Sequence, residues 1–542
     1  MTIKTVLTTA FEGQKPGTSG LRKKIYVFQQ PHYVENFIQS LFDNIGPLEG
    51  KMLILGGDGR AFNRTLLQIV LKMAAAHGVS RVKMGRGGIL STPAVSHLIR
   101  KTRAHGGLIL SASHNPGGPE GDCGIKYNIS NGGPAPDSLC DAVFATSQRL
   151  AFYKIFEAPN VDLDRQGTTF MGTMRIDIID PVVDYLALMQ EIFDFDCIAK
   201  AVAGGLTLRF DAMHAVTGPY AHEIFEKCLG FPEGTVVNGI PLPDFGGGHP
   251  DPNLVYAKAL YDLLMSEKGP DLGAASDGDG DRNLIIGRQQ FVSPSDSLAI
   301  MAEYAHLIKG YQKGVVGIAR SMPTGRAADL VAEKKGLNFF ETPTGWKFFG
   351  TLLDAEKITF CGEESFGTSS QHIREKDGLW AVLFWLNLLA VTGKTVAQIV
   401  QQHWHTYGRF YTLRHDYEEV ESDKALALIE DLRVNLPKEG TEIAGFFVKK
   451  ADDFTYQDPI DQNISTRQGI RIFFENGARL VIRLSGTGTL GATLRIYFEQ
   501  YEGDPRKYNR NPQEVLQPLQ QVALKLLNIQ QELGRDRPDI MT

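Results

Sequence analysis

Three times along the chain a short apolar run ends in a turn of small residues and gives way to a helical pattern. The runs are MLILGGDGR into NRTLLQIVLKMAAAHG from Met52, LTLRFDAMH into GPYAHEIFEKCLG from Leu206, and GVVGIARSMPTG into RAADLVAEKKG from Gly314. Strands that alternate with helices in this way argue for parallel α/β sheets. The three copies share too little identity to prove a repeat, and three related α/β domains is the reading they support. A further helix is expected from Pro93, with Thr92 as its cap, Pro93 in its first turn, Val95, Leu98 and Ile99 at helical spacing, and its end near Gly106.

The last part of the chain follows another grammar. RIFFE and ARLVIRL flank Asn476 and Gly477, which predicts a hairpin with a type I′ turn, and TLRIYFEQY reads as a further strand. Pro512 to Leu533 reads as one closing amphipathic helix. This is an α+β module. A chain of 542 residues exceeds what one core holds. Breaks in periodicity at IDIIDP, SPSDS and HWHTYGRF place domains at 1–180, 181–300, 301–405 and 406–542.

Lysine and arginine total 56 against 62 acidic residues, a net charge of −6, which argues against a polyanion-binding surface and so against a nucleic-acid partner. The five cysteines show no paired spacing, so reduced thiols in a cytoplasm are expected. No run approaches the roughly 20 apolar residues of a membrane helix and no export signal is recognisable, so a soluble protein without a membrane partner is expected.

Four loops carry chemistry. SASHNPGGPEGDCGIKYN, Ser111 to Asn128, follows an apolar strand, where ligands of α/β sheets usually bind. Glycine and proline alone would make it a surface turn; Ser113 beside His114, with Lys126 downstream to neutralise an anion, favours a reactive site. In SDGDGDRN, Asp277, Asp279 and Asp281 would repel one another without a cation, and the glycine spacers let the loop turn them inward. A calcium EF-hand fails because its sixth and twelfth positions hold Arg282 and Arg288, and three carboxylates with room for a phosphate oxygen suit magnesium. CGEESFG offers Glu363 and Ser365 to sugar hydroxyl groups, with Lys376 nearby, but alone two adjacent glutamates more often form a solvated surface; TPTGWKFFG is likewise suggestive only in company, since Trp346 and Phe348 fit a core equally well. RLSGTGTLGATLR matches a dinucleotide glycine pattern, yet a strand rather than a helix follows it; Ser485 and Thr487 between Arg483 and Arg495 read instead as a nest for one phosphate.

KPGTSGLRKK, SASHNPGG, DGDGDRN, GEESFG and RLSGTG occur here in the order seen in the α-D-phosphohexomutases, which the chain resembles over nearly its whole length. GDCGIKYNISNGGPAP, DFGGGHPDPNL, ETPTGWKFFG and SSQHIREKDGLWAVL resemble the glucose-specific branch. The resemblance implies three related α/β domains with mixed or parallel sheets and a C-terminal α+β domain around a central active-site cleft. It implies an isomerase, an intramolecular phosphotransferase that interconverts glucose 1-phosphate and glucose 6-phosphate. Ser113 would carry a covalent phosphate, with magnesium held against it by Asp277, Asp279 and Asp281, and glucose 1,6-bisphosphate would be the intermediate. Glu363 and Ser365 would grip sugar hydroxyls, Thr344 and Gly345 would line the sugar site, and Arg483, Ser485, Gly486, Thr487 and Arg495 would hold the nonreacting phosphate. Thr18, Arg22, His114, Lys126, Arg282 and Lys376 match family positions around the reacting phosphate and sugar, with His114 and Lys376 as candidate proton handlers. Ser111 stands where threonine is common and keeps the hydroxyl. A monomer acting only on small sugar phosphates is expected. Three rivals are disfavoured: a sibling activity on mannose or glucosamine phosphates by the glucose-branch strings, a noncatalytic scaffold because every site residue named above is present, and a serine hydrolase because no GxSxG surrounds Ser113.

Overall fold

The computed structural model describes residues 2–17, 19–485 and 491–542, and the chain divides into two compact units that it enters more than once. The first comprises Met1–Phe291, Tyr304–Gly314 and Ser365–Val396, and the second the remaining segments.

The first unit holds two mixed sheets. In the larger, Gly106–Leu110, Met52–Gly57, Arg81–Ile89 and Met174–Ile179 run parallel. Antiparallel strands close both sides: Asp122–Ile129 and then Leu21–Lys24 on one, Gly167–Met171 on the other. The central strands are nearly all apolar and buried, as strands covered on both faces must be. The helix Asn63–Ala76 packs Leu66, Leu67, Val70 and Leu71 into that core. In the smaller sheet Leu208–Asp211 pairs in parallel with Val236–Val237 and Leu272–Ala275, and Leu284–Gly287 turns back antiparallel. The helix Gly378–Thr392 is apolar on every face and buried from Gly378 to Leu389, the pattern of an interior helix. No single helix among the described residues is long and apolar enough to cross a membrane.

In the second unit Asn338–Thr342, Gly317–Ser321 and Phe360–Glu363 form a parallel set. The C-terminal sheet is antiparallel, ordered Glu442–Ile443, Phe446–Asp453, Ile470–Phe474, Arg479–Ser485, Ala492–Glu502, Arg409–Val420, Ile540–Met541. The helix Pro512–Leu527 covers it with Leu516, Leu519, Val522 and Ala523.

Three local expectations are corrected. The hairpin at Asn476 and Gly477 is not type I′, which needs positive φ at both central residues. Only Gly477 has it, at φ 84°, and its N–H donates to Phe474 O at 3.1 Å: a tight turn through Glu475 and Asn476 is followed by a glycine bulge. The closing helix breaks at Asn528, whose φ of 47° ends one helix and starts Ile529–Leu533. Ser91 rather than Thr92 caps the helix Thr92–Thr102, its Oγ accepting from Ala94 N at 3.3 Å. The hydroxyl of Thr92 is engaged elsewhere.

Candidate active site

Three adjacent parallel strands of the first unit end in polar residues: Asp58 and Arg60 after Met52–Gly57, Ser91 and Thr92 after Arg81–Ile89, and Ser111 and Ser113 after Gly106–Leu110. Carboxyl ends of parallel strands are where open α/β sheets place ligands.

Ser113 is 2% exposed and adopts φ 53°, uncommon for a residue with a side chain, so its surroundings must hold it there. Its N–H donates to Ser111 Oγ at 2.7 Å, and that hydroxyl donates to Asp58 Oδ2 at 2.6 Å. Its carbonyl accepts from Arg60 at 2.7 Å. Asp58 and Arg60 form a fully buried ion pair at 2.8 Å, and Arg60 reaches the carbonyl of Asp122 at 2.9 Å as well. The serine is thus clamped on both sides by one buried pair.

The aspartate loop meets it. The Ser113 hydroxyl donates to Asp277 Oδ2 at 2.8 Å, while Oδ1 of the same carboxylate accepts from the N–H groups of Asp281 at 2.9 Å and Arg282 at 3.0 Å. Gly278 is required here, since a Cβ would lie 2.3 Å from the Ser113 carbonyl oxygen. Ligand atoms of Asp277, Asp279 and Asp281 lie within 4.8 Å of one another and all three residues are buried. Burial, then repulsion from Asp281 and Asp279, pushes the Asp277 carboxyl well above the usual carboxylate range. Asp279 goes the other way: burial would raise it, but the Thr92 hydrogen bond and the charges of Lys376, Lys126 and Arg22 hold it below the ordinary value. Asp279 Oδ1 and Asp281 Oδ1 are buried acceptors that no described residue satisfies. Three buried carboxylates with two oxygens left over fit a small hard cation.

Cations line the same region. Lys376 Nζ is 2.9 Å from Asp281, Arg282 is 3.4 Å from Asp251 and 3.8 Å from Asp277, and Lys126 pairs with the buried Glu375. Arg22, opposite Gly124 on the neighbouring strand, feels both Asp279 and Asp281, though burial leaves its pKa below the ordinary arginine value. His114 Nδ1 lies 3.5 Å from Ser113 Oγ. Ser365 belongs to this unit too, next to Phe366, whose carbonyl accepts from Asn283 N at 2.8 Å.

Within the second unit Glu363 ends a parallel strand, is 6% exposed and accepts from Gly345 N at 2.9 Å. The hydroxyl of Thr344 is buried and unsatisfied among the described residues. Trp346 packs edge-on against Phe349 and belongs to the core. In the C-terminal sheet Arg483 and Arg495 are direct cross-strand partners, as are Ser485 and Thr493. Like charges directly opposite are destabilising unless an anion separates them. Asp416, next in the same row, supplies one countercharge 3.4 Å from Arg495; burial opposes the arginine charge but Asp416 outweighs it and raises the Arg495 pKa. Thr18, Gly486 and Thr487 lie outside the described residues.

Sequence reasoning missed Asp58, Arg60, Thr92 and Glu375. For the first two a signal existed: GGDGR ends an apolar strand just as SASHNP does. Thr92 was hidden by its suitability as a cap. Its Oγ1 donates to Asp279 Oδ2 at 2.6 Å and its N–H to the Asp279 carbonyl at 2.9 Å.

Family profiles for the phosphoglucomutase/phosphomannomutase α/β/α domains I, II and III match residues 13–154, 183–290 and 293–407, and the profile of the phosphoglucomutase-1 C-terminal domain matches 409–539. The chain belongs to the phosphoglucomutase/phosphomannomutase family of phosphohexomutases. A phosphoglucomutase of Rhizobium radiobacter is 58% identical over 541 residues, covering 100% of both chains, and one from Aspergillus fumigatus is 49% identical over 557 residues with the same coverage. The open form of parafusin, a phosphoglucomutase of Paramecium, superposes with a TM-score of 0.90 at 44% identity, covering 100% of this chain and 99% of that one. Within the family the chain stands in the phosphoglucomutase branch, an isomerase of the phosphotransferase kind.

Proposed function

We propose that the chain interconverts α-D-glucose 1-phosphate and glucose 6-phosphate by passing a phosphoryl group through Ser113, with glucose 1,6-bisphosphate as the intermediate. The observation that carries this is the Ser113 hydroxyl 2.8 Å from Asp277 in a cluster of three buried aspartates, flanked by Lys376 and Arg282. Phosphoryl transfer needs position and charge neutralisation more than an activated nucleophile, so a serine without a hydrolase triad suffices.

Asp277, Asp279 and Asp281 would hold Mg2+, together with an oxygen on Ser113. When bound, the ion supplies charge neutralisation to the phosphoryl group. The Asp58 and Arg60 clamp fixes the serine backbone, so that the phosphate oxygen on Ser113 is the only part of the residue that changes partner. In the forward half-reaction the O–P bond to Ser113 breaks as one forms to the sugar hydroxyl; that hydroxyl's proton passes to a base, with His114 or the neutral form of Lys376 as the candidates, and the Ser113 oxygen takes up a proton to become the free hydroxyl. The bisphosphate then presents its other phosphate, and transfer back regenerates the phosphoserine. Arg22, Lys126 and Arg282 serve the reacting phosphate with Thr18. Thr344, Gly345, Glu363 and Ser365 serve the sugar hydroxyls, and Arg483, Ser485, Gly486, Thr487 and Arg495 the nonreacting phosphate. Five free cysteines, two of them fully buried, support a reducing cytoplasm. We also propose a monomer.

A coupled assay on glucose 1-phosphate, with and without added bisphosphate, tests the proposal. Turnover stimulated by bisphosphate is expected; a comparable or higher rate on mannose 1-phosphate would overturn the glucose assignment.

A further inference from the structure

The irregular segment Gln371–Asp377 joins the strand Gly367–Ser370 to the helix Gly378–Thr392 and carries Glu375 and Lys376. One holds Lys126 and the other Asp281. A segment without its own hydrogen-bond ladder keeps two adjacent side chains on separate targets only if its ends are fixed from outside.

A chain of buried groups does this. Asp377, 0% exposed, accepts at Oδ1 from the Tyr185 hydroxyl at 2.6 Å and from Trp380 N at 3.1 Å, and His372 Nε2 lies 3.0 Å from Oδ2. His372 Nδ1 is 2.7 Å from Ser370 Oγ, which is 2.6 Å from the Tyr311 hydroxyl, which accepts from Trp380 Nε1 at 2.8 Å. The imidazole also stacks on the Trp380 indole, at 5.3 Å between centroids and 21° between planes. Chemistry sets the direction of the chain. An indole N–H only donates and a carboxylate only accepts, so Nε2–H donates to Asp377, and with the ring neutral Tyr311 donates to Ser370 and Ser370 to Nδ1. The ring therefore ties the last residue of the strand to the first cap residue of the helix, closing the segment like a strut.

We propose that His372 is a positioning residue for Lys376, acting through Asp377 and the closed segment rather than by touching substrate. This rests on the role given to Lys376 above. Removing the ring leaves Asp377 N on the Thr368 carbonyl at 3.0 Å and Oδ1 on Tyr185 and Trp380, but it releases Asp377 Oδ2 and Ser370 Oγ, so the Lys376 ammonium is held less firmly beside Asp281 while the sugar-binding residues of the second unit are untouched.

The test is a double-mutant cycle on the full-length enzyme, with kcat expressed per phosphorylated Ser113 from intact mass, so that misfolded molecules do not count. His372→Ala should lower kcat about tenfold or more with the KM for glucose 1-phosphate within about twofold, a split that a merely structural loss would not give. In a Lys376→Ala background the same change should cost less than about twofold. His372→Gln, whose amide can donate to Asp377, should recover most of the lost kcat. If His372→Ala does not fold, Tyr311→Phe breaks the chain at its far end and enters the same cycle. Independent, multiplying losses, or an unchanged kcat in His372→Ala, would overturn this inference while wild-type mutase activity stood. A wild-type enzyme inactive on glucose 1-phosphate would instead overturn the proposed function, and a fully active Lys376→Ala would remove the role of Lys376 and this inference with it.

Discussion

Ser113 is held at φ 53° through its backbone: Ser111 and Asp58 on its amide side, Arg60 on its carbonyl side. Ser113→Ala keeps those backbone contacts and removes only the hydroxyl. Its turnover should fall below detection with an unchanged unfolding curve, and intact mass should lack the phosphate carried by the native chain; substantial residual activity would refute the carrier role. Thr92 gives a second prediction. Partners that orient metal ligands commonly contribute 10–100-fold to affinity. Thr92→Val, which keeps the shape and loses the donor to Asp279, should weaken Mg2+ binding about tenfold or more by calorimetry, and an unchanged dissociation constant would make the contact incidental. At this scale the residues with unusual chemistry were legible: the hydroxyl of Ser113, the repelling carboxylates and the arginines of the last loop are odd in any surface turn. Thr92, Asp58 and Glu375 were not, because each fits an ordinary role in sequence and acquires its meaning from a partner between 53 and 249 positions away.

Among the elements, the strands before Ser113 and Asp277 announce themselves as apolar runs, but turn types do not. Asn-Gly predicted a type I′ turn at residues 476 and 477, and the chain instead makes a bulge in which Gly477 alone has positive φ. A Cβ there would meet only Tyr501 at 3.8 Å, so the cost of Gly477→Ala is conformational, about 1 kcal/mol. A denaturant midpoint for the C-terminal sheet should drop accordingly, and no change would mean the turn relaxes into another form. The same sheet carries the cross-strand pair Arg483 and Arg495. Arg495→Ala removes a charge-assisted contact of roughly 1.5–3 kcal/mol, about tenfold or more in binding. The KM for glucose 1-phosphate should rise and bisphosphate should escape into solution, while phosphorylation of Ser113 persists. Unchanged values of both would make this pair structural.

For the whole molecule, the sequence distinguished parallel α/β layers from the antiparallel C-terminal sheet because strands alternate with helices in the first and follow one another through a short Asn-Gly turn in the second. It carried no trace of how the chain re-enters its two compact units: Ser365–Val396 is continuous in sequence with strands of one unit and packs in the other, a result of long-range contacts no local window records. Metal ties fold to function at this scale. A divalent ion offsets both the burial and the repulsion that raise the Asp277 carboxyl, so Mg2+ at about 100 times its dissociation constant should stabilise the unit that binds it by about 2.7 kcal/mol. Chelation should reverse this and stop turnover, and full activity in metal-free buffer would exclude the ion. The central claim, that Ser113 hands its phosphate to the sugar, is tested most directly by a single turnover. Enzyme carrying isotopically labelled phosphate on Ser113 is mixed with unlabelled glucose 1-phosphate and quenched. The label should pass to glucose 1,6-bisphosphate and then glucose 6-phosphate at the rate of catalysis; label that stays on the protein, or leaves as inorganic phosphate, would contradict it.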